Sequence, residues 1–136
     1  MKRPTLCLLA VTAMFLLWLT MPCLAADGAW LKKVPPGDAE RANPYAGKPE
    51  AAEAGSNLFH ENCAKCHGQH AEGKGKRPPL KSERIHNATD GDLAWLLKNG
   101  NPYKGMPRWS GLPEAQRWQI VTYIRQLNSA ETPERP

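Results

Sequence analysis

The sequence predicts an all-α fold in which three to five helices wrap around a large apolar group that the chain does not encode. Three segments carry apolar residues at helical spacing, and no segment shows a convincing strand pattern. The compact part spans about 80 residues, so its core would be marginal without a staple or a bound group. Residues 68–88 and 99–111 contain few side chains that could pack together unaided. These observations favour helices that close on a bound group.

The first 26 residues have the layout of an export signal. Lys2 and Arg3 precede an apolar run at residues 6–19, and small residues follow at positions 25 and 26. A run of about 14 residues is shorter than the roughly 20 that a membrane-spanning helix needs. We therefore expect a cleaved signal peptide over residues 1–26 and a periplasmic protein. The alternative is membrane anchoring through an uncleaved leader.

Cleavage of the leader would leave few sulfur-containing residues in the chain. Only Cys63 and Cys66 remain of the four cysteines, and only Met106 of the four methionines. The formal charge falls from +5 to +3, because Lys2 and Arg3 leave with the leader. A disulfide between cysteines this close would close a very small loop and gain little stability, so the two sulfurs require another explanation.

Residues 27–48 are predicted to form an N-terminal arm, because residues 27–49 hold four prolines and three glycines. Trp30 and Tyr45 could attach this arm to the domain, and the alternative is a loosely ordered tether. The compact domain is assigned to residues 49–129, and residues 130–136 are a polar tail.

Each predicted helix has its own sequence signals. The first is expected over residues 50–64, where Gly55, Leu58 and Phe59 share one side. The middle helix should begin after Thr89, which forms a capping-box pattern with Asp92, and should stop at Gly100. The last helix should begin near Pro113 and Glu114 and end near Asn128, with the apolar positions Ile120, Tyr123, Ile124 and Leu127.

The stretch CAKCH, Cys63 to His67, is a C-x-x-C-H motif, the attachment signature of a c-type haem. On a helix these two cysteines and the histidine project from one face. The thiols can then bond to the vinyl groups of one porphyrin while the imidazole reaches its iron. This attachment is completed outside the cytoplasm, which agrees with the predicted export signal.

Two other uses of these residues are possible. A zinc site would need four ligands, which could be Cys63, Cys66, His67 and either His60 or His70. Adjacent Cys and His ligands would be unusual in such a site. A redox dithiol of the thioredoxin kind would need a βαβ setting, which this sequence lacks.

Residues 55–127 resemble a class I c-type cytochrome. The segments CAKCH, GKGKRPPL, DLAWLLKNG, GMPRW and WQIVTYIRQL follow one another in the order of that family. The resemblance implies a small cytochrome c fold with one haem c, bound covalently through Cys63 and Cys66. It also implies that Gly55 and Phe59 cross against Tyr123 and Ile120 of the last helix.

The resemblance also implies the residues around the haem. His67 and Met106 would be the axial ligands of the iron, and the carbonyl of Pro78, or of the neighbouring Pro79, would accept a hydrogen bond from His67. Tyr103 and Trp109 resemble aromatic residues near the haem propionates, with packing against the haem as the alternative. His86 is the only credible rival to Met106. Trp95 and Trp118 are assigned to packing.

An iron held by His and Met has no open position, which is typical of electron-transfer cytochromes. The predicted function is thus one-electron transfer, not enzymatic catalysis. If Met106 did not bind the iron, a five-coordinate haem enzyme or sensor, peroxidase-like in its chemistry, would be the alternative.

The charge pattern predicts the partners. Residues 63–110 carry a net charge of +5, which would steer the protein to acidic docking faces of redox partners. The candidate basic residues around the haem are Lys65, Lys76, Arg77, Lys81, Lys104 and Arg108. The stretch NPYAGKPEA resembles small cytochromes that serve quinoprotein alcohol dehydrogenases. The alternative role is electron donation to a terminal oxidase or another periplasmic reductase. We expect a monomer that does not bind nucleic acid, and membrane association only with a retained leader.

Overall fold

The structure, a computed structural model, describes residues 28–129 as an all-α fold, as the sequence predicts. No strand occurs among these residues; two isolated bridges, Lys74 with Arg77 and Asn101 with Met106, are the only β-type pairings in this range. The helices are α1 (Pro36–Ala39), α2 (Pro49–Asn62), α3 (Ala64–His67), α4 (Glu83–Asn87), α5 (Asp90–Asn99) and α6 (Glu114–Ser129), with 3-10 turns at Leu31–Lys33 and Pro102–Lys104. The predicted signal peptide and polar tail lie outside the described residues.

The crossing of α2 and α6 is the main helix contact. A Cβ atom added to Gly55 would lie 2.0 Å from the carbonyl oxygen of Gln119, so only glycine permits this approach. One turn further along α2, Phe59 is fully buried and its ring centroid lies 5.4 Å from that of Tyr123. The crossing implied by the cytochrome resemblance is therefore confirmed.

Helix α5 begins and ends where its sequence signals place it. Thr89 Oγ1 accepts a hydrogen bond from the Asp92 backbone N–H at 3.0 Å, and Asp92 Oδ2 accepts one from the Thr89 N–H at 2.8 Å. Gly100 ends the helix with φ of +65°, and a Cβ there would lie 2.5 Å from the Pro107 carbonyl oxygen. The capping box and the glycine stop are both confirmed.

The apolar core has two parts. The larger joins the arm, α4, α5 and α6 through Trp30, Ile85, Ala88, Leu93, Ala94, Leu97, Trp118, Ile120, Val121 and Ile124. The smaller consists of Phe59, Cys63, Ala64 and Ala71. Leu80 packs against both parts, so the loop after His67 connects them. The burial of Trp118 confirms its packing role.

The arm, residues 28–48, is docked rather than loose. Trp30 is only 7% exposed and belongs to the larger core cluster. Asn43 Nδ2 donates to Thr122 Oγ1 of α6 at 3.0 Å, and Thr89 Oγ1 donates to the Ala39 carbonyl at 2.7 Å. A Cβ on Gly91 would lie 2.0 Å from the Asp38 carbonyl oxygen. The arm therefore contacts both α5 and α6.

Residues 83–88 contain a helix that the sequence did not predict. Ile85 of α4 is buried in the larger cluster. Arg125 of α6 holds the segment that follows: its Nε donates to Asp90 Oδ1 at 2.6 Å, its Nη1 to the Ile85 carbonyl at 2.7 Å, and its Nη2 to the Ala88 carbonyl. One guanidinium thus satisfies carbonyl groups that the end of a short helix leaves without partners.

Candidate functional site

The Cys63–His67 segment forms a separate helical turn. Helix α2 ends at Asn62, not at residue 64 as the sequence predicted, because Cys63 has φ of −114° and ψ of −36°. The N–H groups of Cys66 and His67 both donate to the Cys63 carbonyl, at 3.0 and 2.9 Å. This turn keeps both cysteines and the histidine within five consecutive positions of the chain, and the two thiols are free.

The environment of Cys63 disfavours dithiol chemistry. Burial of this thiol, with a smaller contribution from neighbouring Cys66, raises the pKa of Cys63 to about 11. Reactive redox cysteines instead have a lowered pKa, since the thiolate is the nucleophile. The unmodified Cys63 thiol is protonated at neutral pH, which is unlike a thioredoxin-type pair.

The ring of His67 is held by the loop that follows it. Its Nδ1 lies 2.9 Å from the Pro78 carbonyl oxygen, a hydrogen bond in which the protonated nitrogen donates. The Gly73 N–H donates to the His67 carbonyl at 2.7 Å. Gly73 has φ of +86°, and a Cβ there would lie 2.8 Å from the Arg77 carbonyl oxygen. The loop thus fixes the imidazole and leaves Nε2 as the atom available to an iron.

Met106 lies in a tightly closed loop. Asn101 and Met106 exchange two backbone hydrogen bonds of 3.0 Å each, and Gly105 turns the chain with φ of +76°. The Trp109 N–H donates to the Leu97 carbonyl at 2.9 Å, which attaches the end of the loop to α5. Met106 is half-buried and packs against the larger core cluster. Gly105 and the backbone bridge to Asn101 together fix the backbone at Met106.

The aromatic residues predicted near the haem occupy different environments. Trp109 is half-buried against the larger core cluster. Tyr103 is 92% exposed, and Lys33 Nζ of the arm lies 5.4 Å from its ring centroid. Their assignment to the propionates stays a prediction.

The three other histidines are all exposed in the structure. The ring Nδ1 of His60 lies 2.7 Å from the Ser56 carbonyl oxygen of its own helix. The His70 N–H donates to Glu72 Oε2. Hydrogen bonds from backbone N–H groups, the largest contribution coming from Glu72 itself and the next from His70, hold the pKa of Glu72 below its ordinary value. His86 lies on α4. Within residues 28–129 no group of three His, Cys, Asp or Glu side chains is placed so that it could hold a metal ion.

The residues present fit a haem c. Two free thiols, one imidazole fixed through Nδ1 and one half-buried thioether are the donors that such a group needs. Leu80, Met106 and Trp109 pack beside the core clusters and provide apolar side chains for a porphyrin. A c-type attachment turn within an all-α fold defines a c-type cytochrome.

Comparison with known proteins supports this class. Residues 50–124 match the family described as cytochrome c oxidase, cbb3-type, subunit III. The chain is 37% identical over 87 residues to cytochrome c-554(547) of Halothiobacillus neapolitanus, covering 56% of this chain and 96% of that protein. It is 38% identical over 82 residues to the cbb3-type cytochrome c oxidase subunit FixPc of Rhizobium leguminosarum bv. viciae, covering 58% of this chain and 29% of that subunit.

A solved cytochrome structure is also similar to this chain. Cytochrome CL from the marine methylotrophic bacterium Methylophaga aminisulfidivorans superimposes with a TM-score of 0.54 at 31% identity, covering 61% of this chain and 59% of that one. The chain therefore belongs to the matched cytochrome family as a small class I c-type cytochrome, an electron carrier with covalently bound haem c. It spans nearly all of cytochrome c-554(547) but under a third of FixPc.

One contact of the site was not evident from the sequence. Arg77 was predicted only as a basic residue near the haem, yet its Nη1 donates to the Lys104 carbonyl at 2.7 Å. The position of Arg77 directly before Pro78 was the only sequence feature that pointed to the site, and it could not reveal Lys104, which lies 27 residues away. Within residues 28–129, no helix is both long and apolar enough to cross a membrane.

Proposed function

We propose that this protein carries single electrons on a haem c whose iron is bound by His67 and Met106. The observation that carries the proposal is the hydrogen bond from His67 Nδ1 to the Pro78 carbonyl, at 2.9 Å. It fixes the tautomer and the orientation of the ring, as partners of ligating histidines generally do. The half-buried Met106, held by its bridge to Asn101, supports the second ligand.

The haem supplies the one-electron couple, and the chain's own residues set its environment. The Pro78 carbonyl raises the basicity of the imidazole by accepting a hydrogen bond from the His67 Nδ1–H. Burial of Cys63 and the partial burial of Met106 lower the local dielectric and limit water. A thioether ligand raises the reduction potential relative to a second histidine. With His67 and Met106 both bound, the iron would have no open position, which supports a carrier rather than an enzyme.

The decisive variant is Met106→Ala. The haem-loaded protein should show a low-spin spectrum and a weak far-red thioether band, and the variant should lose that band and bind carbon monoxide readily. Leu112→Ala is the matched control, because Leu112 is also partly buried against the larger cluster but would not bind iron. An unchanged band in Met106→Ala would refute the ligation. A high-spin native spectrum would instead favour the five-coordinate, peroxidase-like haem enzyme or sensor.

We propose a periplasmic location and a chain divided into a leader at 1–26, an arm at 27–48, a cytochrome domain at 49–129 and a tail. The basic leader start and the covalent haem support export together. The intact mass of the exported protein tests this, because it should equal the chain from residue 26 or 27 onward plus one haem. A mass that retains the leader would favour the membrane-anchored alternative.

We propose that electrons pass from a periplasmic dehydrogenase to a respiratory acceptor. The naming of FixPc as an oxidase subunit supports a terminal oxidase on the acceptor side. The NPYAGKPEA stretch supports a quinoprotein alcohol dehydrogenase as donor. Stopped-flow oxidation of the reduced protein by a purified cbb3-type oxidase tests the first, and its reduction by a quinoprotein dehydrogenase tests the second.

A further inference from the structure

An open groove of about 230 Å³ lies between the arm and the Met106 loop. We call it the arm groove and define it by the arm residues Trp30 and Lys33, the α5 residue Trp95, and the loop residues Tyr103 and Arg108. Asn99, Gly100, Asn101 and Pro102 complete its lining. Its volume is below the roughly 300–1,000 Å³ of sites that enclose a small molecule. It is suited to a side chain that protrudes from another surface.

Two aromatic residues of the groove, Trp95 and Tyr103, do not belong to the core clusters. Tyr103 is the only large apolar side chain that is exposed among residues 28–129, at 92%. Trp95 was predicted to pack, but it is only half-buried and lines the groove. Exposed Tyr and Trp are typical of the centres of protein interfaces. The groove therefore presents apolar surface to a partner.

The charged side chains that line the groove are all positive. Lys33 and Arg108 line it, and no carboxylate does. Neither cation forms an ion pair within residues 28–129, and Lys33 is held over the Tyr103 ring at 5.4 Å. Such a cation–π contact positions the ammonium group without neutralising it. The complementary ligand carries carboxylates.

The groove adjoins the loop that carries the proposed iron ligand. Asn101 lines the groove and exchanges two backbone hydrogen bonds with Met106. We propose that the arm groove docks an acidic segment of a redox partner protein, with one apolar side chain against Trp95 and Tyr103 and carboxylates beside Lys33 and Arg108. This inference rests on the proposed electron-carrier function and places the partner at the Met106 loop.

The test uses the haem-loaded, reduced full protein with nitrogen-15 labelling. The probe is the peptide acetyl-Asp-Asp-Phe-Asp-Asp-amide, and the comparison peptide has Lys in place of each Asp. We expect the acidic peptide to shift the indole N–H signals of Trp30 and Trp95. The indole N–H of Trp118, which donates to Glu114 Oε1 at 3.2 Å away from the groove, should stay unchanged. The Lys peptide should shift none of them.

The variants Lys33→Ala and Arg108→Ala should each weaken peptide binding about twofold to fivefold, the effect of losing one exposed ion pair. Lys48→Ala is the matched control, because Lys48 Nζ also lies 5.4 Å from a tyrosine ring, that of Tyr45, outside the groove. Its affinity should equal that of the unsubstituted protein. Raising the salt concentration should weaken binding further.

Several results would overturn the proposal. The proposal would be wrong if both peptides bound equally well, or if the shifts spread over the whole surface of residues 63–110. It would also be wrong if both groove variants bound the acidic peptide with unchanged affinity. Groove shifts caused by raising the protein concentration alone, or by anionic lipid vesicles in place of the peptide, would overturn it as well. The far-red thioether band reports the proposed ligation separately, so a failure of docking leaves that band intact.

Discussion

The guanidinium of Arg77 and the carbonyl of Lys104 connect the two halves of the candidate haem site. Arg77 Nη1 donates to this carbonyl at 2.7 Å. Arg77 directly precedes Pro78, whose carbonyl accepts from His67, and Lys104 lies two residues before Met106. A Cβ on Gly105 would lie 2.6 Å from Arg77 Nη1, so glycine there permits the contact. One side chain thus joins the loop of the imidazole to the loop of the thioether.

We expect Arg77→Met to loosen the Met106 loop without removing either ligand. Methionine keeps an apolar stem similar to that of arginine and removes the N–H donors together with the positive charge. A hydrogen bond of this kind contributes about 0.5–1.5 kcal/mol, or roughly twofold to tenfold in an equilibrium constant. Added imidazole should therefore displace the thioether at a roughly twofold to tenfold lower concentration, measured as loss of the far-red band.

Lys76→Met is the control for this variant. Lys76 is the exposed neighbour of Arg77 and loses one positive charge in the same way. Its imidazole affinity should match that of the unsubstituted protein. Equal affinities in all three proteins would show that the Arg77 contact does not hold the loop.

Gly55→Ala should destabilise the fold. The added methyl would lie 2.0 Å from the Gln119 carbonyl oxygen, and α2 and α6 must separate to accommodate it. Overpacking of this kind costs about 1–3 kcal/mol of unfolding free energy. Denaturant titration of the haem-loaded protein measures the change.

Gly111→Ala provides the comparison for Gly55→Ala. A Cβ at Gly111 would have no neighbour within 4 Å. Its unfolding free energy should stay within about 0.5 kcal/mol of the original, as for most surface substitutions. Equal losses in both variants would mean that the crossing tolerates a methyl group.

The features that the sequence predicted correctly depend on neighbouring residues. Thr89 and Asp92 cap α5 through contacts three residues apart, and Gly100 ends it through its own backbone conformation. The Cys63–His67 motif likewise lies within five consecutive residues. Local rules of capping and spacing are sufficient for such features.

The features that the sequence did not predict, or left open, depend on contacts between residues far apart in the chain. Helix α4 is supported by Arg125, whose carbonyl partners lie 37 to 40 residues earlier in the chain. The sequence left docking of the arm and a loose tether as alternatives, and the arm is docked because Trp30 enters a core built by α5 and α6. The break at Cys63 was missed because residues 50–64 read as one continuous helix. The helix propensities of the residues do not predict which segments tertiary contacts will bury.

Asn43→Ala should release the arm from α6. Asn43 Nδ2 donates to Thr122 Oγ1 at 3.0 Å, and its Oδ1 accepts from the Tyr45 N–H at 2.9 Å. Loss of the side chain leaves the Tyr45 N–H without its acceptor and removes the donor to Thr122 Oγ1, which still donates to the Trp118 carbonyl, at a cost of about 1–3 kcal/mol. Faster amide exchange over residues 28–48 would report the release.

The exposed Asn57 on α2 gives the matched control, Asn57→Ala. Its substitution should leave amide exchange in the arm unchanged. If Asn43→Ala also left exchange unchanged, then Trp30 and the α5 contacts would be sufficient to hold the arm.

The contact between Glu114 and Arg41 should make arm docking sensitive to acid. The hydrogen bond from Arg41 Nη2, with a smaller contribution from the Trp118 indole N–H, holds the pKa of Glu114 below its ordinary value of 4.5. A carboxylate with a lowered pKa in the folded state stabilises that state at higher pH. This stabilisation is complete above the ordinary value and is lost as pH falls through the folded-state pKa.

Glu114→Gln should therefore lower the unfolding free energy near pH 7 and make little difference at pH 3. Both side chains are about half exposed, at 45% and 51%, so the loss at pH 7 should not exceed about 1 kcal/mol. Denaturant titrations of both proteins between pH 3 and pH 7 measure the difference. Glu61→Gln, at an exposed position on α2, should show no comparable pH-dependent loss. A Glu114→Gln difference that stayed constant across this pH range would contradict the assignment, because only ionisation of Glu114 makes it vary.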